Sequence, residues 1–159
     1  MPTYVSHGLR NDVTQISIEL LKIIDEAFEK FKLIPEKEWS ARPSPEQWSK
    51  KEVIGHLIDS AANNHIRFVR AQLAQNEFVG LSYEQSFFVS AQQYQQRGHT
   101  ELIELWLAYN RHLAHVIRHI DSTKFNVLCK IGQNEPVTLL FVVEDYIGHI
   151  KHHLKQIIG

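Results

Sequence analysis

From about Leu9 to Phe31 the apolar residues Leu9, Val13, Ile16, Leu20, Ile23 or Ile24, Ala27 and Phe31 recur every three or four positions, which predicts an amphipathic first helix. Pro35, Pro43 and Pro45 then punctuate Leu33 to Gln47, and the residue before a proline is biased away from helical dihedrals, so this stretch reads as a connection. Ser49 followed three residues later by Glu52 has the pattern of a capping box. It opens a second helix expected to run to about Asn76 through Val53, Leu57, Ala61, Phe68 and Leu73. The segment from Glu77 to Gly98 is less periodic, and its stretch Tyr83 to Tyr94, rich in aromatics and glutamine, predicts a short helix within a crossover. Thr100 or a neighbour starts a third helix, with Leu102, Leu105, Trp106, Tyr109, Leu113, Val116, Ile117 and Ile120 on one face and an end near Asp121. Val127 to Ile131 reads as extended and Gly132 to Pro136 as a turn, giving a short ribbon or an irregular loop. Thr138 then caps a fourth helix that reaches the C-terminus through Leu139, Val143, Tyr146, Ile150, Leu154 and Ile157.

Four long helices without an internal repeat imply an all-α four-helix bundle. The two longer connections point away from a simple up-down-up-down order. With 159 residues the chain has the size of a single domain, 1–159. Its 17 Lys and Arg against 18 Asp and Glu leave a net charge of −1, so it carries no basic footprint for nucleic acid and no acidic tail. Its longest apolar runs, such as Val137 to Val143, fall far short of the roughly 18 residues that a membrane helix needs. The segment Met1 to His7 lacks the basic and apolar regions of a signal peptide, and a cytoplasmic protein is expected. The single cysteine, Cys129, rules out an internal disulfide and a thiolate metal cage, and no local pattern supports it as a nucleophile.

Histidine changes the picture, because the chain has ten. His149 and His153 are i and i+4, stacked on one face of the fourth helix where two imidazoles can reach one ion. Such a pair is a weak signal alone. His56 is the natural third ligand, near the start of the second helix, provided that the second and fourth helices run antiparallel. It shares a stripe with Ser60, Asn63 and Arg67 that either faces water or lines a polar pocket. His112, His115 and His119 form a competing cluster on a flank of the third helix, read as surface or interface histidines with an adventitious or intersubunit metal as the alternative. His7, His65 and His99 have no partners in sequence, and Trp48 and Trp106 read as core.

The run Trp48-Ser49-Lys50-Lys51-Glu52-Val53-Ile54-Gly55-His56-Leu57-Ile58-Asp59 resembles the start of helix two in the DinB/YfiT-like proteins. His149-x3-His153-Leu154-x-Gln156-Ile157 resembles the end of their last helix. The resemblance covers nearly the whole chain. It implies a four-helix bundle of up-down-down-up order and a three-histidine metal site made of His56, His149 and His153, with none missing. The third-helix histidines match no ligand of the family. The implied ion is Zn or Ni, sometimes another divalent metal. Relatives include bacillithiol S-transferases, a mycothiol-dependent isomerase and metal-dependent hydrolases.

Three neutral imidazoles leave an ion its full charge and an open position, which acidifies either a thiol or a water. The leading expectation is therefore a thiol-dependent S-transferase taking a small electrophile and a low-molecular-weight thiol as cosubstrate. A hydrolase and a non-catalytic binding or dimerisation module are the alternatives. Asn63 and Arg67 are expected to line the pocket and meet a carboxylate of thiol or substrate, and Asp145 to accept an imidazole N–H. A homodimer is expected, since a bundle face can pack on its twin.

Overall fold

Local sequence rules set the first boundaries of the bundle. The computed structural model describes residues 5–159, with side chains from Val13 onward. His7 and Leu9 fall outside the described side chains, and Met1 to Tyr4 outside the described residues. The elements in order are α1 (Val5–Phe31), α2 (Glu36–Trp39), α3 (Lys50–Ala71), β1 (Glu77–Gly80), α4 (Gln85–Ala91), α5 (His99–Arg118), β2 (Leu128–Ile131), β3 (Val137–Thr138) and α6 (Leu139–Ile158). The four long helices α1, α3, α5 and α6 are those that the periodicity predicts.

Ser49 caps α3 as expected. Its hydroxyl accepts the Glu52 N–H at 3.2 Å, and the Glu52 carboxylate accepts the Ser49 N–H at 2.9 Å. Arg42 adds a forked ion pair to Glu52 at 2.6 and 3.0 Å, fixing the connection against the helix start. Burial pushes the Glu52 carboxyl up, but the bonds from Arg42 and Ser49 outweigh it and hold its pKa below the ordinary value. A depressed carboxylate pKa contributes stability at neutral pH that is lost as the pH falls through the folded-state value. Ser49→Ala removes the cap and is expected to cost about 1 kcal/mol in chemical denaturation.

The helix directions follow from cross-contacts. Lys50 reaches the Ile157 carbonyl while Phe68 meets Tyr146 at 5.8 Å, so α3 and α6 run antiparallel. The Ser17 hydroxyl donates to the Ala114 carbonyl at 2.7 Å and Arg111 approaches Asp25 at 3.4 Å, so α1 and α5 do the same. The C-terminal ends of α3 and α5 lie together, since the Asp121 N–H donates to Gln72 and the Leu128 N–H to the Asn76 carbonyl. The order is therefore up-down-down-up.

At that end a three-stranded sheet closes the bundle. β1 pairs parallel with β2 in the register Phe78↔Cys129, and β2 pairs antiparallel with β3 in the register Cys129↔Val137. Gly132 takes φ +60 in the turn between β2 and β3, a left-handed conformation that suits glycine. Thr138 then caps α6 by accepting the Phe141 N–H at 3.1 Å. In the core Trp106, Tyr146 and Asn110 are buried together. The Tyr146 hydroxyl donates to Asn110 Oδ1 at 2.6 Å, and the Asn110 amide donates to the Trp106 carbonyl at 2.9 Å, so this polar pair is satisfied.

Several boundaries differ from the sequence reading. α3 ends at Ala71, five residues short of Asn76, and Leu73, which continues the apolar period, is 83% exposed. The residues beyond it pair as β1 with a strand some fifty positions later, a long-range bond that local periodicity cannot show. The connection from Leu33 to Gln47 contains the single turn α2, anchored by buried Trp39. Between Tyr83 and Tyr94 only Gln85–Ala91 is α-helical, with Tyr94 opening a 3-10 turn. Leu105 is exposed rather than part of the α5 face. Among the described residues no helix is long and apolar enough to cross a membrane.

Candidate metal centre

The antiparallel pairing of α3 and α6 brings His56, in the second turn of α3, level with the C-terminal half of α6, where His149 and His153 stand one turn apart. His56 Nε2 lies 3.0 Å from His149 Nε2. The ring of His56 is 4.9 Å from that of His149 and 4.5 Å from that of His153, and the two α6 rings are 4.4 Å apart. One nitrogen from each of the three lies within 4.8 Å of the others. Two nitrogens about 2.0–2.1 Å from one zinc ion at the tetrahedral angle are about 3.3 Å apart, so the His56–His149 spacing suits a shared cation.

The electrostatics agree with the spacing. Burial lowers the pKa of His56 to about 3, and the neighbouring imidazoles of His153 and His149 add to the shift. Burial, with His153 and His152, lowers that of His149 to about 4. The pKa of His153 is lowered as well, chiefly by burial. All three rings are therefore neutral near pH 7, the form in which imidazole binds a metal.

Two of the three rings have partners at their outer nitrogens. Ser60 Oγ stands 3.3 Å from His149 Nδ1, and Gln156 Oε1 stands 2.8 Å from His153 Nδ1, so the amide oxygen accepts that N–H and leaves Nε2 unprotonated, with its lone pair available to a metal. His56 Nδ1 is buried and has no partner among the described residues. The half-buried ring of Trp48 packs against the core, as expected, and also meets His56 at 5.1 Å. All-imidazole ligation, with no thiolate or carboxylate, fits a divalent ion that keeps its charge and an open position.

A cavity of about 370 Å³ opens from His149 and Ser60 toward the sheet end, and Asn64, Arg67 and Tyr83 share its wall. The stripe on α3 thus lines a polar pocket over part of its width. Counting about 100° per residue from His56, Ser60 lies at about +40°, Arg67 at about +20° and Asn64 at about +80°, but Asn63 at about −20°. The cavity is on the positive side. Asn63 is accordingly absent from its wall and turns its amide back to the Asp59 carbonyl at 2.9 Å, while Asn64 takes the expected place.

Asp145 lines the cavity but makes no hydrogen bond to an imidazole, contrary to expectation. The hydroxyl of Ser60, reaching across from α3, meets that ring instead. The i, i+4 spacing of His56 and Ser60, and the i, i+3 spacing of His153 and Gln156, are the signals by which sequence can find these two partners. Cys129 also lines the cavity, and burial pushes its thiol up to about 11, so it stays protonated at neutral pH. His112 and His115 on α5, and His119 just past its end, are exposed and take no part in the centre. His65 meets Tyr109 at 3.0 Å and His99 stacks on Trp39, so both have partners that the sequence did not reveal.

Fold and site together define a helical bundle of up-down-down-up order with a three-histidine centre at the α3–α6 pairing. Residues 20–157 match the model of the DinB superfamily, and the chain belongs to that superfamily. The solved structure of YfiT from Bacillus subtilis, described as a probable metal-dependent hydrolase with an unusual four-helix bundle topology, is similar at TM-score 0.76. It shares 18% sequence identity over 99% of this chain and 89% of that one. No curated protein matches the chain.

Proposed function

We propose that this chain is a cytoplasmic metal-dependent enzyme in which His56, His149 and His153 hold a divalent ion, Zn or Ni, and that it transfers a low-molecular-weight thiol to a small electrophile. The observation that carries this reading is the convergence of three neutral imidazoles within 4.8 Å, with His149 opening onto a cavity. When bound, the ion supplies the charge that acidifies a thiol or a water beside it. The protein supplies orientation. Ser60 and Gln156 hold the outer nitrogens of His149 and His153, and Trp48 shields one face of His56 from water.

A second reading, hydrolysis, is supported by the likeness to YfiT, which is described as a probable metal-dependent hydrolase. The two separate in one assay of the Zn- or Ni-loaded protein. A panel of low-molecular-weight thiols is offered with 1-chloro-2,4-dinitrobenzene, and p-nitrophenyl acetate is offered without thiol. Thiol conjugation that a chelator abolishes is the expected result, with a sulfur–carbon bond formed, chloride released and the thiol proton passed to solvent. Ester cleavage with no response to any thiol would instead establish the hydrolase, and metal-loaded protein inactive in both assays would leave a binding or dimerisation module.

A further inference from the structure

Arg67 stands out among the charged groups outside the three-histidine centre. It lies on the wall of the cavity that starts at His149, and among the described residues it has no carboxylate partner. Of its five N–H donors one is bonded, to the Leu81 carbonyl at 2.9 Å, and its Nε is buried without an acceptor. Glu135 and Asp145 share the cavity wall, yet among the described residues neither forms an ion pair with Arg67. Burial disfavours the charged form of this guanidinium and lowers its pKa, yet arginine remains protonated in proteins. A half-buried cation held in that state without an anion is an unfilled electrostatic demand.

The placement of Arg67 sets the shape of what fills the cavity. Ser60, which meets His149, and Arg67 are seven residues apart on α3, about 10 Å along the helix axis. We propose, on the reading that the three histidines hold a metal, that Arg67 is the anion-recognition end of the substrate cavity and that the enzyme selects a carboxylate-bearing thiol. The sulfur of that thiol sits at the histidine end while its carboxylate pairs with the guanidinium, carried by a residue about two turns of helix beyond Ser60. A guanidinium matches a carboxylate with two parallel N–H bonds, so Arg67 gives both attraction and orientation. It does not touch the reacting atoms and is a binding residue.

The test compares 6-mercaptohexanoate with its uncharged match 6-mercaptohexanol in cobalt(II)-loaded protein. The visible spectrum of the ion reports an intact three-histidine centre, and the thiolate-to-cobalt absorption band gives the affinity of each thiol. Wild type is expected to bind the carboxylate thiol about tenfold to a hundredfold more tightly, the range for a charge-assisted bond. Arg67→Met is expected to erase that preference with its cobalt spectrum unchanged and the affinity for the alcohol preserved, and Arg67→Lys to restore part of it. Equal affinities in wild type, or an unchanged preference in Arg67→Met, would overturn the proposal while leaving the metal reading intact. Should cobalt fail to bind, the metal reading fails by itself. Arg67 is then judged in the metal-free protein from its side-chain Nε–Hε NMR signal. A saturable shift with hexanoate and none with hexanol is expected, and no difference between the two would overturn the assignment.

Discussion

His149→Ala is expected to abolish stoichiometric metal binding while the bundle stays folded. Of the three converging histidines His149 is the one that also lines the cavity, and among the described residues it supplies one of the three nitrogens that could hold an ion. Loss of a residue that merely orients a ligand costs about 10- to 100-fold in metal affinity, and loss of the ligand itself is expected to exceed that range. Its side chain is half-buried, so truncation leaves little void for the core to absorb. Chelator competition would register the affinity, and a circular-dichroism melt would register the fold. Unchanged affinity in the variant would remove His149 from the centre. A collapsed melt would call for His149→Gln, which fills the space without the imidazole, before any conclusion on metal.

Gly55→Ala is expected to destabilise the protein by about 2 kcal/mol, although alanine is the better helix former. A Cβ at this position would stand 2.1, 2.3 and 2.6 Å from three atoms of the Tyr94 ring, inside any permissible contact. Replacing a helical glycine with alanine gains at most about 1 kcal/mol, whereas forcing a packed ring aside costs typically 1–3 kcal/mol, so the clash wins. Tyr94 cannot yield freely. It is buried, and its hydroxyl donates to Asp59 Oδ1 at 2.6 Å, where the Gln92 amide also donates. Displacing the ring disturbs this network three residues from His56, so metal affinity is expected to fall along with the denaturation midpoint. A variant as stable as wild type would show that Tyr94 packs elsewhere.

The features readable in the sequence are those set by neighbours in the chain. The spacing of Leu20, Ile24, Ala27 and Phe31 marks α1, and Ser49 with Glu52 marks the start of α3 through bonds that span three residues. The i, i+4 pair His149 and His153 was legible for the same reason. The meeting of His56 with that pair depends on the direction in which α3 and α6 pack, which the lengths of the connections only hint at. The overrun of α3 past Ala71, and the missed pairing of β1 with β2, have one cause. Their hydrogen bonds join segments about fifty residues apart, and Leu73 keeps an apolar period that the fold does not bury. At the site, angular counting placed Ser60 and Arg67 on the His56 stripe but could not decide which edge of that stripe faces the cavity. Asn64 accordingly lines the cavity where Asn63 was expected.

Elemental analysis bears most directly on the three-histidine centre. The full chain is purified without a histidine tag or added metal, beside His153→Ala treated identically. About one divalent ion per chain in wild type, lost in the variant, is the predicted result. Wild-type protein free of metal, with no tight uptake of Zn or Ni when either is supplied, would contradict it.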